Sequence, residues 1–137
     1  MQIAGKGNVM NETGDTPDGF DDFFDGYVEC ALWSSIGTYN GEDVNLDNSD
    51  FELAGETLVK LRIGALAWFI ANKNALGMFM LEQEVDDSQC GHFHWLSENG
   101  HGSGWFDFTG PWADYLDEID TTSEVNLYIG DDGKIYL

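Results

Sequence analysis

The sequence predicts an α+β fold: two main N-terminal helices packed on a small antiparallel sheet formed by the C-terminal half, with one short helix between strands. Three observations point there. Apolar residues recur at helical spacing as far as the low eighties, the period then turns strand-like, and the chain closes on a run punctuated like a hairpin. A length of 137 residues suits one domain. It divides into a flexible leader over 1–17 and a single folded body over 18–137, with no internal repeat.

Taken in order, the leader is rich in Gly, Asn, Thr and Asp and poor in apolar groups. The first helix follows from one continuous stripe: Phe20, Phe23, Phe24, Tyr27, Val28, Ala31, Leu32 and Ile36 fall at i, i+3, i+4, i+7, i+8, i+11, i+12 and i+16. Thr16, Pro17 and Asp18 offer capping chemistry at its start and Gly37 a stop. Residues 38–53 are polar and read as a long ordered loop. Asp43, Asn45 and Asp47 alternate like the ligands of a calcium loop. Asn48 stands where such a loop needs Gly, however, and Ala54 where it needs a closing Glu, which argues against calcium.

A second helix is expected from about Gly55 into the low eighties. Leu58, Leu61, Ala65, Trp68, Phe69, Leu76, Phe79 and Met80 form its main stripe, and Val59, Ile63, Leu66 and Ile70 widen it almost all round, the mark of a central, buried helix. Gly77 is the expected point of bending. Beyond it, residues 92–97 alternate like a strand and 105–108 follow as another after a Gly-rich loop. Pro111 opens a short helix with Trp112, Tyr115, Leu116 and Ile119 inward. Residues 124–129 and 134–137 flank Gly130-Asp131-Asp132-Gly133 as a terminal hairpin.

Charge narrows the function. The chain carries 26 Asp and Glu against 5 Lys and Arg, a net of −21. Such a molecule repels nucleic acid and anionic membranes and attracts basic partners. The leader holds one base against two acids, so the acidity belongs to the folded body. A hydrophobic content of 42% and an aromatic content of 14% supply a core and exclude a wholly disordered acidic tail. The longest apolar stretch, 63–71, is too short to span a membrane, and the first residues lack the apolar segment of a secretory signal. Cys30 and Cys90 form no spaced framework and read as free thiols of a reducing cytosol.

Three sets of residues can carry function. Asp21, Asp22, Asp25 and Glu29 on the first helix, with Asp114, Asp117, Glu118 and Asp120 on the last, are candidates for an acidic partner-binding face. The loop Asn99, Gly100, His101, Gly102 and Gly104 lets backbone approach a ligand closely. It leads into an expected strand and contains no Lys, so it does not read as a phosphate cradle. Cys90, His92 and His94 would share one face of a strand and are weak zinc candidates. Their spacing is no recognised zinc signature, and no metal or other cofactor is expected. No catalytic residue is assigned. The acidic pairs Asp86-Asp87 and Asp131-Asp132 arise by chance in so acidic a chain.

The run His92-x-x-Trp95-Leu96-Ser97-x-Asn99-Gly100-His101-Gly102-Ser103-Gly104-Trp105-Phe106-Asp107 and the ending Leu127-Tyr128-Ile129-Gly130-Asp131-Asp132-Gly133-Lys134-Ile135-Tyr136 resemble a family of small acidic bacteriophage proteins. That family carries an F-W-L-T-R-N-G-H-G-A-G-F-W-D box and a C-terminal L-Y-V-G-D-D-G-K-I-Y. The resemblance covers the C-terminal half and implies phage origin rather than a mechanism. Glu98 departs from the family's Arg, and Phe93 and His94 from an Asp-Phe pair. Together these observations predict a small, non-enzymatic phage-type protein in the host cytoplasm. It would occlude a basic surface on a host nucleic-acid-binding or defence enzyme, as a DNA mimic or inhibitor, without binding nucleic acid or membrane itself. Two alternatives stand beside it: a structural or accessory phage protein whose acidity is salt adaptation, and a small metal-dependent enzyme using His92, His94 and His101.

Overall fold

A computed structural model describes residues 16–48, 50–100, 103–120 and 125–137. Among these, the order is α1 (Phe20–Trp33), β1 (Ile36–Tyr39), β2 (Glu42–Asn45), β3 (Glu52–Leu53), α2 (Gly55–Ala71), α3 (Lys73–Gln83), α4 (Asp87–Glu98), a 3-10 turn (Trp105–Asp107), α5 (Pro111–Ile119), β4 (Tyr128–Ile129) and β5 (Lys134–Tyr136). The α+β class holds, but the predicted arrangement does not. Helices run through the whole chain, and the strands form two small sheets rather than one C-terminal platform. No described helix is long and apolar enough to cross a membrane. The expected leader falls almost wholly outside the described residues.

α1 forms as its stripe predicts, with Phe20, Phe23, Phe24, Tyr27, Cys30 and Ala31 buried. Its ends differ. Gly19 takes the N-cap position at φ 85° with no side-chain cap, and the Phe20 amide donates to the Pro17 carbonyl at 3.1 Å. The helix stops at Trp33, so Ile36 lies on β1 rather than on the helical stripe. Gly37 is a strand residue, and a Cβ there would press on Leu46 at 2.8 Å.

The expected polar loop contains an antiparallel hairpin. β1 pairs with β2 from Ile36–Asn45 to Tyr39–Glu42 around Asn40 and Gly41, both at positive φ. Asp43 therefore sits in a strand and accepts from the Thr38 hydroxyl at 3.3 Å. The second sheet is more distant in sequence. β5 lies between β3, to which it is parallel, and β4, to which it is antiparallel. The terminal hairpin thus forms as expected and gains a third strand.

The long second helix is two helices. The break falls at Asn72 rather than Gly77, because the Asn72 side-chain amide donates to the Trp68 carbonyl at 2.9 Å and competes with the helical ladder. Nor is α2 buried all round: Thr57, Leu61, Ala65 and Phe69 face the core, whereas Leu58, Val59, Ile63 and Ile70 are exposed.

Residues 92–97, expected as a strand, lie within α4. A capping box starts that helix: the Asp86 carboxylate accepts from the Gln89 amide at 2.9 Å, and Gln89 Oε1 from the Asp86 amide at 3.1 Å. The second expected strand, 105–108, is the 3-10 turn followed by extended chain. α5 begins on Pro111 as read, and the Glu82 carboxylate accepts the Trp112 and Ala113 amides at 3.2 Å each. Ala113 and Leu116 are its buried residues, while Tyr115 is exposed.

Candidate functional site

The site is built on the seam between α1 and α4. Two glycines let the helices touch backbone to backbone: a Cβ on Gly26 would meet the Ser88 carbonyl, and one on Gly91 the Phe23 carbonyl. That approach lines up side chains from both helices above and below the seam.

Below it lies a buried polar knot. His94 Nδ1 is 2.7 Å from Asp120 Oδ2, and Trp105 Nε1 donates to the same oxygen at 2.7 Å. The carboxylate can only accept, so Nδ1 carries the proton of that pair. His94 Nε2 faces Glu98 Oε2 at 3.9 Å, and the Tyr27 hydroxyl donates to Glu98 Oε1 at 2.6 Å. Trp68 stacks on the imidazole with centroids 4.0 Å apart. Burial raises the Tyr27 hydroxyl far above its ordinary range, and Glu98 raises it further. Burial also raises Glu98, offset in part by His94 and the Tyr27 hydrogen bond. His94 is 1% exposed. Its ring is packed between aromatics, with both nitrogens turned to carboxylates, so it offers no free nitrogen to a substrate.

The zinc candidates do not converge, because their segment is helical. Cys90 and His94 point into the core one turn apart, whereas His92 leaves on another side and pairs with Glu29 at 2.8 Å. Among the described residues, no three His, Cys, Asp or Glu side chains gather as a metal site. Both cysteines are free and buried. Burial and the neighbouring Asp87 and Asp86 push the Cys90 thiol far up; burial and Glu29 push Cys30 up to about 11. Neither is a thiolate nucleophile near neutral pH.

Above the seam the acids are open to solvent. Asp21, Asp22, Asp25 and Glu29 are all exposed along α1. Asp22 and Asp86 both raise the Asp87 carboxyl, second only to its burial, so the start of α4 brings two more acids to the same ridge. The sequence reading had set Asp86 and Asp87 aside as a chance pair. Their capping-box spacing was the signal that they sit together at a helix start. Arg62 meets the ridge at one end, 3.3 Å from Asp21 and over the Phe20 ring. At the other end an open cleft of about 550 Å³ is bordered by Glu29, Trp33, Asp47 and His92, with Trp33 65% exposed.

The α5 acids divide. Asp114, Asp117 and Glu118 are exposed, on a helix that packs chiefly on α3 and the 3-10 turn. Asp120 does not belong to an accessible face: it is 6% exposed and committed to His94 and Trp105. In the glycine-rich loop, His101 and Gly102 lie outside the described residues. Asn99 ends α4, its amide donating to the Trp95 carbonyl at 3.0 Å and accepting from the Val125 amide at 2.7 Å. Gly100 has φ 66° and Gly104 φ 99°. A Cβ at Gly104 would meet the Phe93 carbonyl at 2.6 Å, so the close backbone approach foreseen there is to the protein's own helix. Comparison with protein-family models, curated proteins and solved structures gives no match for this chain.

Proposed function

We propose that this chain is a non-enzymatic acidic protein of bacteriophage type that acts in the host cytoplasm. There it covers a basic surface on a host nucleic-acid-binding or defence enzyme, as a DNA mimic or anti-defence inhibitor. The observation that carries this reading is the folded acidic ridge formed by Asp21, Asp22, Asp25 and Glu29 on α1 and extended by Asp86 and Asp87. Asp21, Asp25 and Glu29 recur every four residues, about 6 Å along the axis, against about 3.4 Å per charge on one DNA strand. Asp22, Asp86 and Asp87 beside them raise the density toward that of a duplex. The cleft at the end of the ridge suits a Lys or Arg side chain, since the Trp33 ring can face the cation while Glu29 and Asp47 offer carboxylates.

Against an enzymatic reading stand the enclosed imidazole of His94 and the two protonated thiols. The test is affinity capture from host lysate at low salt, elution by a salt step and identification by mass spectrometry, beside the double variant Asp22→Asn/Asp25→Asn. One near-stoichiometric nucleic-acid or defence enzyme, lost with the variant, is the expected result. A scatter of basic proteins held equally by both forms would overturn it in favour of salt adaptation.

A further inference from the structure

The α2 helix carries a second surface of opposite character, independent of the acidic ridge. Residues 57–81 contain no Asp or Glu, the longest acid-free run in the chain, and hold three of its five basic residues. Within it Leu58, Val59, Ile63 and Ile70 are 42%, 57%, 66% and 57% exposed. Val59, Ile63 and Ile70 recur at i, i+4 and i+11, one stripe opposite the core-facing Thr57, Leu61, Ala65 and Phe69. At Ile70 the stripe opens into a groove of about 460 Å³ between the α2–α3 junction and the α5 residues Trp112 and Tyr115. Exposed apolar residues gathered on one helix face mark an interface rather than ordinary scatter.

We propose that a second copy of this chain docks on this face, α2 against α2, to give a closed two-fold dimer. Charge selects the occupant. A basic partner of the kind drawn to the ridge would meet Lys60, Arg62 and Lys73 here instead of acids. A nucleic acid or anionic bilayer would face a molecule of net charge −21. For two copies, contact through the acidic ridge sets carboxylates against carboxylates, whereas contact through α2 sets apolar stripes together with no acid between residues 57 and 81. A two-fold axis makes the patch its own complement and leaves none of it open to further growth. The remaining obstacle is long-range repulsion between two acidic bodies, which salt screens. Self-association therefore strengthens with salt, whereas capture by the acidic ridge weakens with it.

The experiment is sedimentation velocity on the full chain over a concentration series, at about 0.1 M and about 1 M NaCl, where the Debye length is about 10 Å and about 3 Å. It compares the wild type with Ile63→Glu, Ile70→Glu and the control Ile36→Glu, which replaces an equally exposed apolar residue on β1. The expected result is a wild-type dimer tightened at least severalfold by salt. Both α2 variants should be monomeric with unchanged circular dichroism melts, and Ile36→Glu should remain dimeric. A wild type that stays monomeric throughout would overturn the proposal. So would a dimer that survives both α2 substitutions or one that Ile36→Glu dissolves equally. None of these outcomes depends on whether the acidic ridge has a partner.

Discussion

α1 and α2 are helices of similar length, 14 and 17 residues, that meet solvent in opposite ways. α1 buries one sharply defined aromatic face and turns Asp21, Asp22, Asp25 and Glu29 outward. α2 buries a narrower face and turns leucine, valine and isoleucine outward, with no acid after Glu56. A coat of acids selected only for solubility or high salt would have covered both helices alike. The partition instead argues for two surfaces with two kinds of partner. The helices also differ in how they are held. α1 locks to α4 through paired glycines and a polar knot, whereas much of the apolar surface of α2 has no cover within the chain.

The largest test of that contrast is the seam. Gly91→Ala drives a Cβ into the Phe23 carbonyl, so the two helices must part. We expect a loss of about 3 kcal/mol or more in urea unfolding. A loss under about 1 kcal/mol would mean that the close approach is not what fixes α1 on α4. Next is the knot. Asp120→Ala leaves the Nδ1 proton of His94 and the Nε1 proton of Trp105 without their acceptor, at an expected cost of about 3 kcal/mol. Exposed Asp117→Ala on the same helix should stay within about 0.5 kcal/mol. Equal effects would break the distinction between the buried and the surface acid.

On α2 the sign reverses. Gly64 is helical and exposed, and a Cβ there meets nothing within 4 Å. Gly64→Ala should stabilise the chain by about 0.5–1 kcal/mol through helix propensity and reduced unfolded-state entropy. A loss would place an unseen neighbour against it. The smallest effect is a pH slope. Glu98 is raised above its ordinary 4.5 in the folded state, chiefly by burial. A group so shifted stabilises fully below its unfolded pKa and loses that contribution as pH rises through the folded one. The stability of wild type relative to Glu98→Gln should therefore decline as pH is raised from about 4 to about 7. A flat or rising difference, read by paired thermal melts, would show Glu98 to be stabilised as a carboxylate.

Local pattern made α1, α5 and the terminal hairpin legible in the sequence, because each is decided by its own stripe, proline or turn. The first hairpin was legible too, in Asn40-Gly41, but its polar flanks masked the signal. α4 misled for a physical reason. His92, Phe93, His94 and Trp95 mimic alternation, while the helical spacing of buried Cys90, His94 and Trp95 emerges only once Asp86 and Gln89 are read as its start. The ridge acids were read directly, since an amphipathic helix tells which side faces water. Asp120 was not, because its partners His94 and Trp105 come from other elements 26 and 15 residues away. The two-residue parallel pairing of β3 with β5 leaves no periodic trace at all.

That small pairing couples distant parts of the chain. The Ile135 carbonyl receives both the Ala54 amide at 3.0 Å and the Thr57 hydroxyl at 2.9 Å, 78 residues away from Thr57. α2 has no side-chain N-cap of its own, so its first turn borrows an acceptor from β5. The start of α2 and the terminal hairpin are therefore one cooperative unit. In amide exchange they should open together, at a common free energy, while the α1–α4 seam stays closed. Closing a loop of that length is an entropic cost borne late in folding, so α2 completes its first turn only when β5 has found its place beside it.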